Sequence, residues 1–108
     1  MKDGYPEEHE LKKIEQWDYK DFYGLMEYVK ELWKYSNYFE SFDITDPTYE
    51  LKFGIRYKLS TGGWSGNEDI ITALQGNAMF WATCWQESKR GGHYIFEIRK
   101  VKDARQKT

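Results

Sequence analysis

Cysteine, histidine and long apolar runs are scarce in this sequence. Cys84 is the only cysteine in 108 residues, so no disulfide can form within the chain. His9 and His93 are the only histidines, which argues against a zinc site within one chain. No apolar run reaches the ~18 residues of a membrane-spanning helix, and the acidic opening from Met1 to Glu10 lacks the layout of a signal peptide. We therefore expect a cytoplasmic protein with no membrane contact, metal or cofactor.

Large rings are abundant instead. The chain is 40% hydrophobic and 19% aromatic, which is typical of a folded protein. Its length predicts one domain over residues 1–108, with flexible ends at 1–5 and 102–108. A chain this small buries a modest core, and its apolar stripe from Phe22 to Trp33 is wide. We therefore expect a homo-oligomer in which a second copy covers the stripe.

Charge divides the chain into two halves. Residues 1–50 carry 13 acidic and 6 basic residues, a net charge of −7, whereas residues 51–108 carry 5 acidic and 10 basic residues, a net charge of +5. One interpretation is that an acidic helical layer and a basic sheet attract each other within the fold. The other is that the basic half receives an anionic ligand.

Apolar periodicity predicts the secondary structure. Steps of three and four residues predict one helix ending near Gln16 and a second running from Asp18 or Asp21 to Tyr35. The polar segment 36–47 is typical of a connection. Strict alternation from Tyr49 to Leu59 predicts a strand with one buried and one charged face. Ser65 and Glu68 fit a capping box that starts a third helix, which ends at Gly76-Asn77.

The remainder has the pattern of a hairpin. The apolar run Met79–Trp85 predicts a buried strand, the Arg90-Gly91 pair a turn, and Tyr94–Val101 a second strand. A turn centred on that pair places Trp85 opposite Phe96 and Ser88 opposite His93. The fold class is then α+β: two layers, with N-terminal helices, one inserted helix and an antiparallel sheet of about three strands, in the order ααβαββ.

Two glycine turns are the candidate site. A strand-to-helix turn with three glycines and a tryptophan offers backbone N–H groups at a helix start and a ring for stacking. A second turn places two glycines beside cations and a histidine. We expect both turns, near the basic residues Lys52, Arg56 and Lys58, to share one anionic ligand. The predicted ligand-binding residues are Thr61, Gly62, Gly63, Trp64, Ser65, Gly66, Asn67, Arg90, Gly91, Gly92 and His93.

Known fingerprints are absent from these turns. Neither the P-loop nor the dinucleotide-binding glycine pattern is present, so a purely architectural capped turn with Trp64 folded onto the core is the competing interpretation. Cys84 and His93 invite a catalytic dyad, but the predicted hairpin separates them by roughly 13 Å. With no paired carboxylates or activated nucleophile, we predict no catalytic residues, although an enzyme whose acid or base escapes recognition is a third possibility.

Nucleic acid fits poorly as a partner. The strand aromatics alternate onto the predicted core face, whereas base stacking needs them on the open face. The sequence pI of about 5.7 also argues against a broad basic field.

Several short strings together resemble a known group of proteins. The strings are Thr61-Gly62-Gly63-Trp64-Ser65-Gly66-Asn67-Glu68, Met79-Phe80-Trp81, Cys84-Trp85 and Arg90-Gly91-Gly92-His93-Tyr94. They resemble small proteins encoded by tailed phages and prophages, a resemblance that implies a phage origin and no mechanism. Small non-enzymatic phage proteins commonly sequester a signal molecule or occupy a host protein.

Two functions follow as expectations. The first is a non-catalytic protein that binds or sequesters a nucleotide-like anionic small molecule. The second is an inhibitor that binds a host defence protein through its acidic helical half, with Glu27, Glu31 and Glu40 facing a basic surface.

Overall fold

The computed structural model describes residues 5–46 and 51–99. These residues form four helices and four strands: α1 Glu8–Glu15, α2 Phe22–Leu32, β1 Phe39–Asp46, β2 Leu51–Ser60, α3 Ser65–Gly76, α4 Ala78–Cys84, β3 Trp85–Lys89 and β4 His93–Arg99. Short 3-10 turns precede α2 and β1. The α+β class is confirmed, but the order ααβαββ is corrected to ααββααββ.

The four strands form one antiparallel sheet in the order β1-β2-β4-β3. Tyr57 of β2 pairs with Phe96 of β4, and both are fully buried against the helices. Phe80 of α4 lies 5.2 Å from Phe96, ring centroid to centroid. Side chains of the alternate positions, such as Lys58 and His93, are exposed on the other side of the sheet, which we call the open face. The predicted antiparallel sheet is confirmed, but it has four strands in the described residues instead of about three.

Strand β1 lies in the segment that the sequence predicts to be a connection. It is an edge strand whose backbone pairs with β2 from Phe39 to Asp46. Phe39 is buried, but Ser41 and Phe42 are both exposed, so apolar residues do not keep to one face. Backbone pairing holds an edge strand whatever its side chains, and the alternation that marks a half-buried strand is therefore missing.

Helix α4 replaces most of the first predicted hairpin strand, so that prediction is wrong for residues 79–84. Asn77 caps the helix, because its Oδ1 accepts a hydrogen bond from the Phe80 amide at 3.1 Å. Its Nδ2 also donates to the Ile14 carbonyl at 3.0 Å, tying α4 to α1. Phe80 and Cys84, one turn apart, are the buried residues of this helix. A short apolar run does not by itself distinguish strand from helix.

The hairpin register is partly as predicted. Trp85 does pair with Phe96, but an irregularity before Glu87 shifts the remaining pairs by one residue. Lys89, rather than Ser88, therefore pairs with His93. The turn has three residues, Arg90 to Gly92, instead of two.

The apolar stripe of α2 is covered by the chain itself. Leu25, Met26 and Val29 are fully buried in the core cluster, and Trp33 is 5% exposed. The reason for expecting an oligomer therefore falls away, and the homo-oligomer stays a prediction without that support.

The ends of the chain fall largely outside the described residues. Tyr5, predicted to be part of a flexible end, forms a strand-type bridge and stacks on Trp64 with ring centroids 4.8 Å apart. The predictions for residues 1–4 and 102–108 lie outside what the structure describes. Within the described part of the chain, no helix has the length and apolarity needed to cross a membrane.

Candidate functional site

The two glycine turns are in direct contact. Strands β2 and β4 pair up to Ser60 and His93, and beyond that pair the Thr61 amide donates a hydrogen bond to the Gly92 carbonyl at 3.0 Å. Gly92 has a φ of +81°, and a Cβ there would overlap Thr61 Oγ1. The structure thus brings the two predicted turns together, and glycine at position 92 is what allows their contact.

Asn67, a predicted ligand-binding residue, has its amide committed inside the protein. Its Oδ1 accepts from the Lys34 amide at 3.0 Å, and its Nδ2 donates to the Lys34 carbonyl at 3.1 Å and the Thr61 carbonyl at 3.2 Å. The side chain is fully buried. Asn67 therefore joins the glycine turn to the chain after α2, and both of its N–H groups are used there. Thr61 is 1% exposed, and its Oγ1 accepts from the Gly63 amide at 3.3 Å.

Trp64 is packed against its own chain. The Tyr5 ring stacks on it, Lys34 Nζ lies 4.7 Å from the ring centroid, and Gly66 passes so close that a Cβ there would overlap the indole. The stacking surface that the sequence offers to a ligand is therefore occupied by Tyr5 and Lys34.

The predicted capping box at Ser65 and Glu68 does not form. Trp64 occupies the N-cap position of α3, and no side chain makes a cap hydrogen bond. Because the helix begins one residue earlier than a Ser65 cap requires, Ser65 lies inside its first turn and is exposed.

The second turn projects outward. Arg90 and Gly91 are exposed at its tip, and His93 follows at the start of β4. His93 Nδ1 lies 2.7 Å from Ser60 Oγ, a hydrogen bond that links the ends of the two paired strands.

Beside the junction of the turns, the open face contains a pocket of about 440 Å³. We call it the open-face pocket. Four strand residues with chemistry to offer a ligand line it: Lys58, Ser60, Lys89 and His93. Tyr38, Asn37 and Glu40 line the side nearest β1, and Ile95 lines the middle of the sheet. The volume falls within the range of about 300 to 1,000 Å³ that is common for small-molecule sites.

Tyr38 couples the pocket to the first glycine turn. The Tyr38 ring lies so close to Gly62 that a Cβ there would come within 2.7 Å of it. The ring is 40% exposed, which leaves surface that a ligand can contact. Tyr35, three residues earlier, has a φ of +67°, so the chain turns sharply just after the Lys34 backbone that Asn67 holds. Asn67 thereby helps to position Tyr38.

The basic residues of β2 have separate partners. Lys58 lines the open-face pocket and lies 5.9 Å from the Phe42 ring centroid. Arg56 Nε donates to Glu97 Oε2 at 2.7 Å across the sheet, and the Glu97 side chain is 2% exposed. Lys52, also named in the prediction, lies in β2, but its side chain is outside what the structure describes. Of the predicted basic edge, Lys58 is thus the residue placed to meet a ligand.

Charges in the pocket are mixed. Lys58 and Lys89 bring positive charge, and Glu40 pairs in register with Lys58 across β1 and β2. Lys89 Nζ also lies 3.8 Å from Glu87 Oε2, a pair in which both side chains are more than half exposed. Such exposed pairs are weak, so Lys89 is free to turn toward an anion.

Cys84 and His93 are not a pair. Cys84 ends α4 and His93 pairs with Lys89 at the far end of β3, which is about 14 Å along the strand. Burial raises the pKa of the Cys84 thiol, which keeps it protonated and poorly nucleophilic. In the described ranges, no group of three or more His, Cys, Asp or Glu side chains is arranged to hold a metal ion.

A second groove, of about 480 Å³, lies between the start of α2, helix α4 and strand β4. Tyr19, Tyr23 and Met79 line it, and each is at least half exposed. The floor includes Phe22, Cys84 and Ile98. This groove is mainly aromatic and apolar, in contrast to the open-face pocket.

Of the ten residues that line the open-face pocket, only His93 belongs to the predicted ligand-binding residues and only Lys58 to the predicted basic residues near them. Lys89 and Ser60 could have been found from the alternation of polar residues on β2 and the hairpin, because both lie on the face of Lys58 and His93. Tyr38 and Glu40 carried no signal, since the segment containing them reads as a connection.

No protein-family model, curated protein or solved structure matches this chain. The resemblance to phage-encoded proteins therefore stays a prediction from the sequence.

Proposed function

We propose that this protein binds a nucleotide-like anionic small molecule in the open-face pocket, at the junction of its two glycine turns, without turning it over. The observation that carries the proposal is the convergence of Lys58, Lys89 and the Ser60–His93 pair on one pocket of about 440 Å³. Ammonium groups, an imidazole and a hydroxyl are suitable partners for a phosphate. A phage origin, a cytoplasmic location and sequestration of a host signal are part of the same proposal.

Tyr38 takes the stacking role that the sequence assigned to Trp64. Its ring is more exposed than that of Tyr94, which also lines the pocket, whereas Trp64 lies under Tyr5 and Lys34. A nucleobase on Tyr38 and a phosphate near Lys89 and His93 would occupy opposite sides of the pocket. The glycine turns would then act by holding Tyr38 and His93 in place, with Arg90 adding charge at the rim.

The test is calorimetric titration with a panel of nucleotides and cyclic nucleotides. We expect Lys58→Ala and Lys89→Ala each to weaken binding about tenfold or more, the usual worth of a charge-assisted hydrogen bond. Lys30→Ala, which removes an exposed lysine of α2, is the matched control and should bind like the parent. If the parent binds no member of the panel, the proposal is wrong.

Arg90→Ala separates two positions for the ligand. Arg90 lies at the tip of its turn and does not line the open-face pocket. We expect a smaller loss of affinity than for Lys58→Ala. A larger loss would move the ligand from the pocket to the turn.

A second candidate is a protein-binding inhibitor of a host defence protein. One observation favours it: Tyr23, Glu27 and Glu31 recur at four-residue steps on α2 and are all exposed, next to the aromatic groove. Acidic and aromatic residues on one helix face suit a basic protein surface. Glu40, which the sequence grouped with these helices, belongs instead to β1.

The two candidates respond to different variants. If a host protein co-purifies, Glu27→Lys with Glu31→Lys should release it, whereas Lys58→Ala should not. The reverse pattern would favour the open-face pocket as the binding surface.

A further inference from the structure

Glu40 is a carboxylate in a pocket that otherwise suits an anion. It lines the open-face pocket from β1, is exposed, and is paired in register with Lys58. Directly opposed residues of an antiparallel pair have Cβ atoms about 5 Å apart, so its carboxylate and the Lys58 ammonium enter the same space. Within the described part of the chain, Glu40 has no ion pair.

The charge of the pocket therefore changes from negative at one side to positive at the other. The sheet order β1-β2-β4-β3 places Glu40 at one edge, Lys58 and His93 in the middle and Lys89 at the opposite edge. Three strand spacings of roughly 4.8 Å separate β1 from β3, about 14 Å in all. A ligand that spans this distance meets a hydrogen-bond acceptor at one end and cations at the other.

An ionised carboxylate can only accept hydrogen bonds, and it repels a phosphate. A ligand that fills the pocket must therefore keep its phosphate near Lys89 and His93 and present donors to Glu40. The hydroxyl groups of a ribose are such donors, and they lie between the phosphate and the base of a nucleotide. The Tyr38 ring lines the same edge of the pocket as Glu40, where the base would follow the sugar.

We propose that Glu40 makes the open-face pocket selective for ribonucleotides by accepting a hydrogen bond from a ribose hydroxyl. This inference rests on the proposed function, because it names the class of ligand that the same pocket takes. It also explains how a pocket with two lysines would avoid saturation by inorganic phosphate or by other simple anions: the carboxylate weakens the attraction for any anion that brings no donor.

The experiment compares a ribonucleoside 5′-monophosphate with its 2′-deoxy and 3′-deoxy analogues and with inorganic phosphate, by calorimetry on the full chain. We expect the parent to prefer the ribonucleotide about tenfold over at least one deoxy analogue, as for a hydrogen bond to a charged group. Glu40→Gln should reduce that preference and bind inorganic phosphate more tightly than the parent does. Glu15→Gln, an exposed glutamate of α1, is the matched control and should keep the parental preference.

The outcomes are distinct. A parent that binds ribo and deoxy forms equally overturns the role of Glu40 while leaving the proposed function in place. A parent that binds none of the nucleotides overturns both. A third outcome is that Glu40→Gln keeps the full preference for the ribonucleotide while unfolding at the same urea concentration as the parent. In that case another group binds the ribose hydroxyl, and the inference is wrong.

Discussion

The first glycine turn and the open-face pocket lie side by side but use their polar groups in opposite ways. In the turn, Asn67 and Thr61 are buried and hydrogen-bonded within the chain. In the pocket, Lys58, Lys89 and Glu40 are exposed and turned toward solvent. The residues that look most like a binding motif in the sequence thus support the structure, and the exposed polar groups lie next to them.

A glycine-rich motif is therefore weak evidence for a ligand site. A glycine-rich turn with an asparagine and a tryptophan offers N–H groups, an amide and a ring to any partner, and a neighbouring segment of the same chain can be that partner. Here Lys34 provides backbone groups for Asn67 and an ammonium for Trp64. A hydrogen-bond donor or acceptor that is already bonded within the chain is not available to a ligand.

Asn67→Ala should strongly reduce the stability of the protein. It removes three hydrogen bonds: the partly buried amide and carbonyl of Lys34 lose this partner, and the Thr61 carbonyl keeps only the bond from the Trp64 amide. We expect a loss of about 3 kcal/mol in the free energy of unfolding, measured by urea denaturation. Gln75→Ala, at an exposed position of the same helix, should change stability by less than about 0.5 kcal/mol. Equal midpoints for the two variants would show that Asn67 is not structural.

Gly92→Ala should destabilise the protein by a similar amount. An alanine there has to adopt a φ of +81°, and its methyl group has to displace the buried Thr61 side chain. Gly91→Ala shares the first difficulty, with a φ of +88°, but its nearest neighbours lie at an ordinary 3.4 Å. We expect losses of about 3 kcal/mol for Gly92→Ala and about 1 kcal/mol for Gly91→Ala by urea denaturation.

That pair of variants isolates the contact between the turns. If both alanine variants lose the same stability, backbone strain alone accounts for the glycines and the packing of Thr61 against Gly92 contributes nothing.

Part of this arrangement could be predicted from the sequence. Long, strictly periodic segments gave the right elements: α2 from its three- and four-residue steps and β2 from its alternation. The contact between the glycine turns was expected as well, but only as one outcome among several, because it depends on β2 and β4 being neighbours. Strand order is set by packing across the whole chain and leaves no local mark.

The remainder has physical reasons for being missed. Strand β1 is held by backbone pairing at an edge, and α4 is seven residues of apolar sequence whose helical state depends on the Asn77 cap and on burial of Phe80 and Cys84. Because β1 and the turn before it were missed, so were Tyr38 and Glu40. The candidate site could be predicted only where it lies on elements that were themselves predictable.

Within the described residues, the Tyr57 hydroxyl is neither hydrogen-bonded like the buried groups of the turn nor exposed like those of the pocket. Its removal should have the smallest effect on stability at neutral pH. The hydroxyl is a buried polar atom for which the described structure contains no hydrogen-bond partner. Burial raises the pKa of Tyr57, and Glu27, Tyr23 and Cys84 raise it further. Tyr57→Phe removes this hydroxyl and should leave stability at pH 7 unchanged or higher by up to about 1 kcal/mol.

At alkaline pH the ionisation of Tyr57 should destabilise the parent relative to Tyr57→Phe. Because the folded pKa lies above the unfolded value of about 10, the unfolded chain releases this proton first, and the parent loses stability as pH rises above that value. Tyr57→Phe has no such proton, so its advantage over the parent should grow between about pH 10 and pH 11. Urea denaturation at pH 7 and across this range measures both effects, with Tyr19→Phe, at a ring that is 60% exposed, as the control. A clear loss of stability for Tyr57→Phe at pH 7 would mean that the hydroxyl has a partner, such as a buried water molecule, and that the interior satisfies its polar groups as fully here as it does at Asn67.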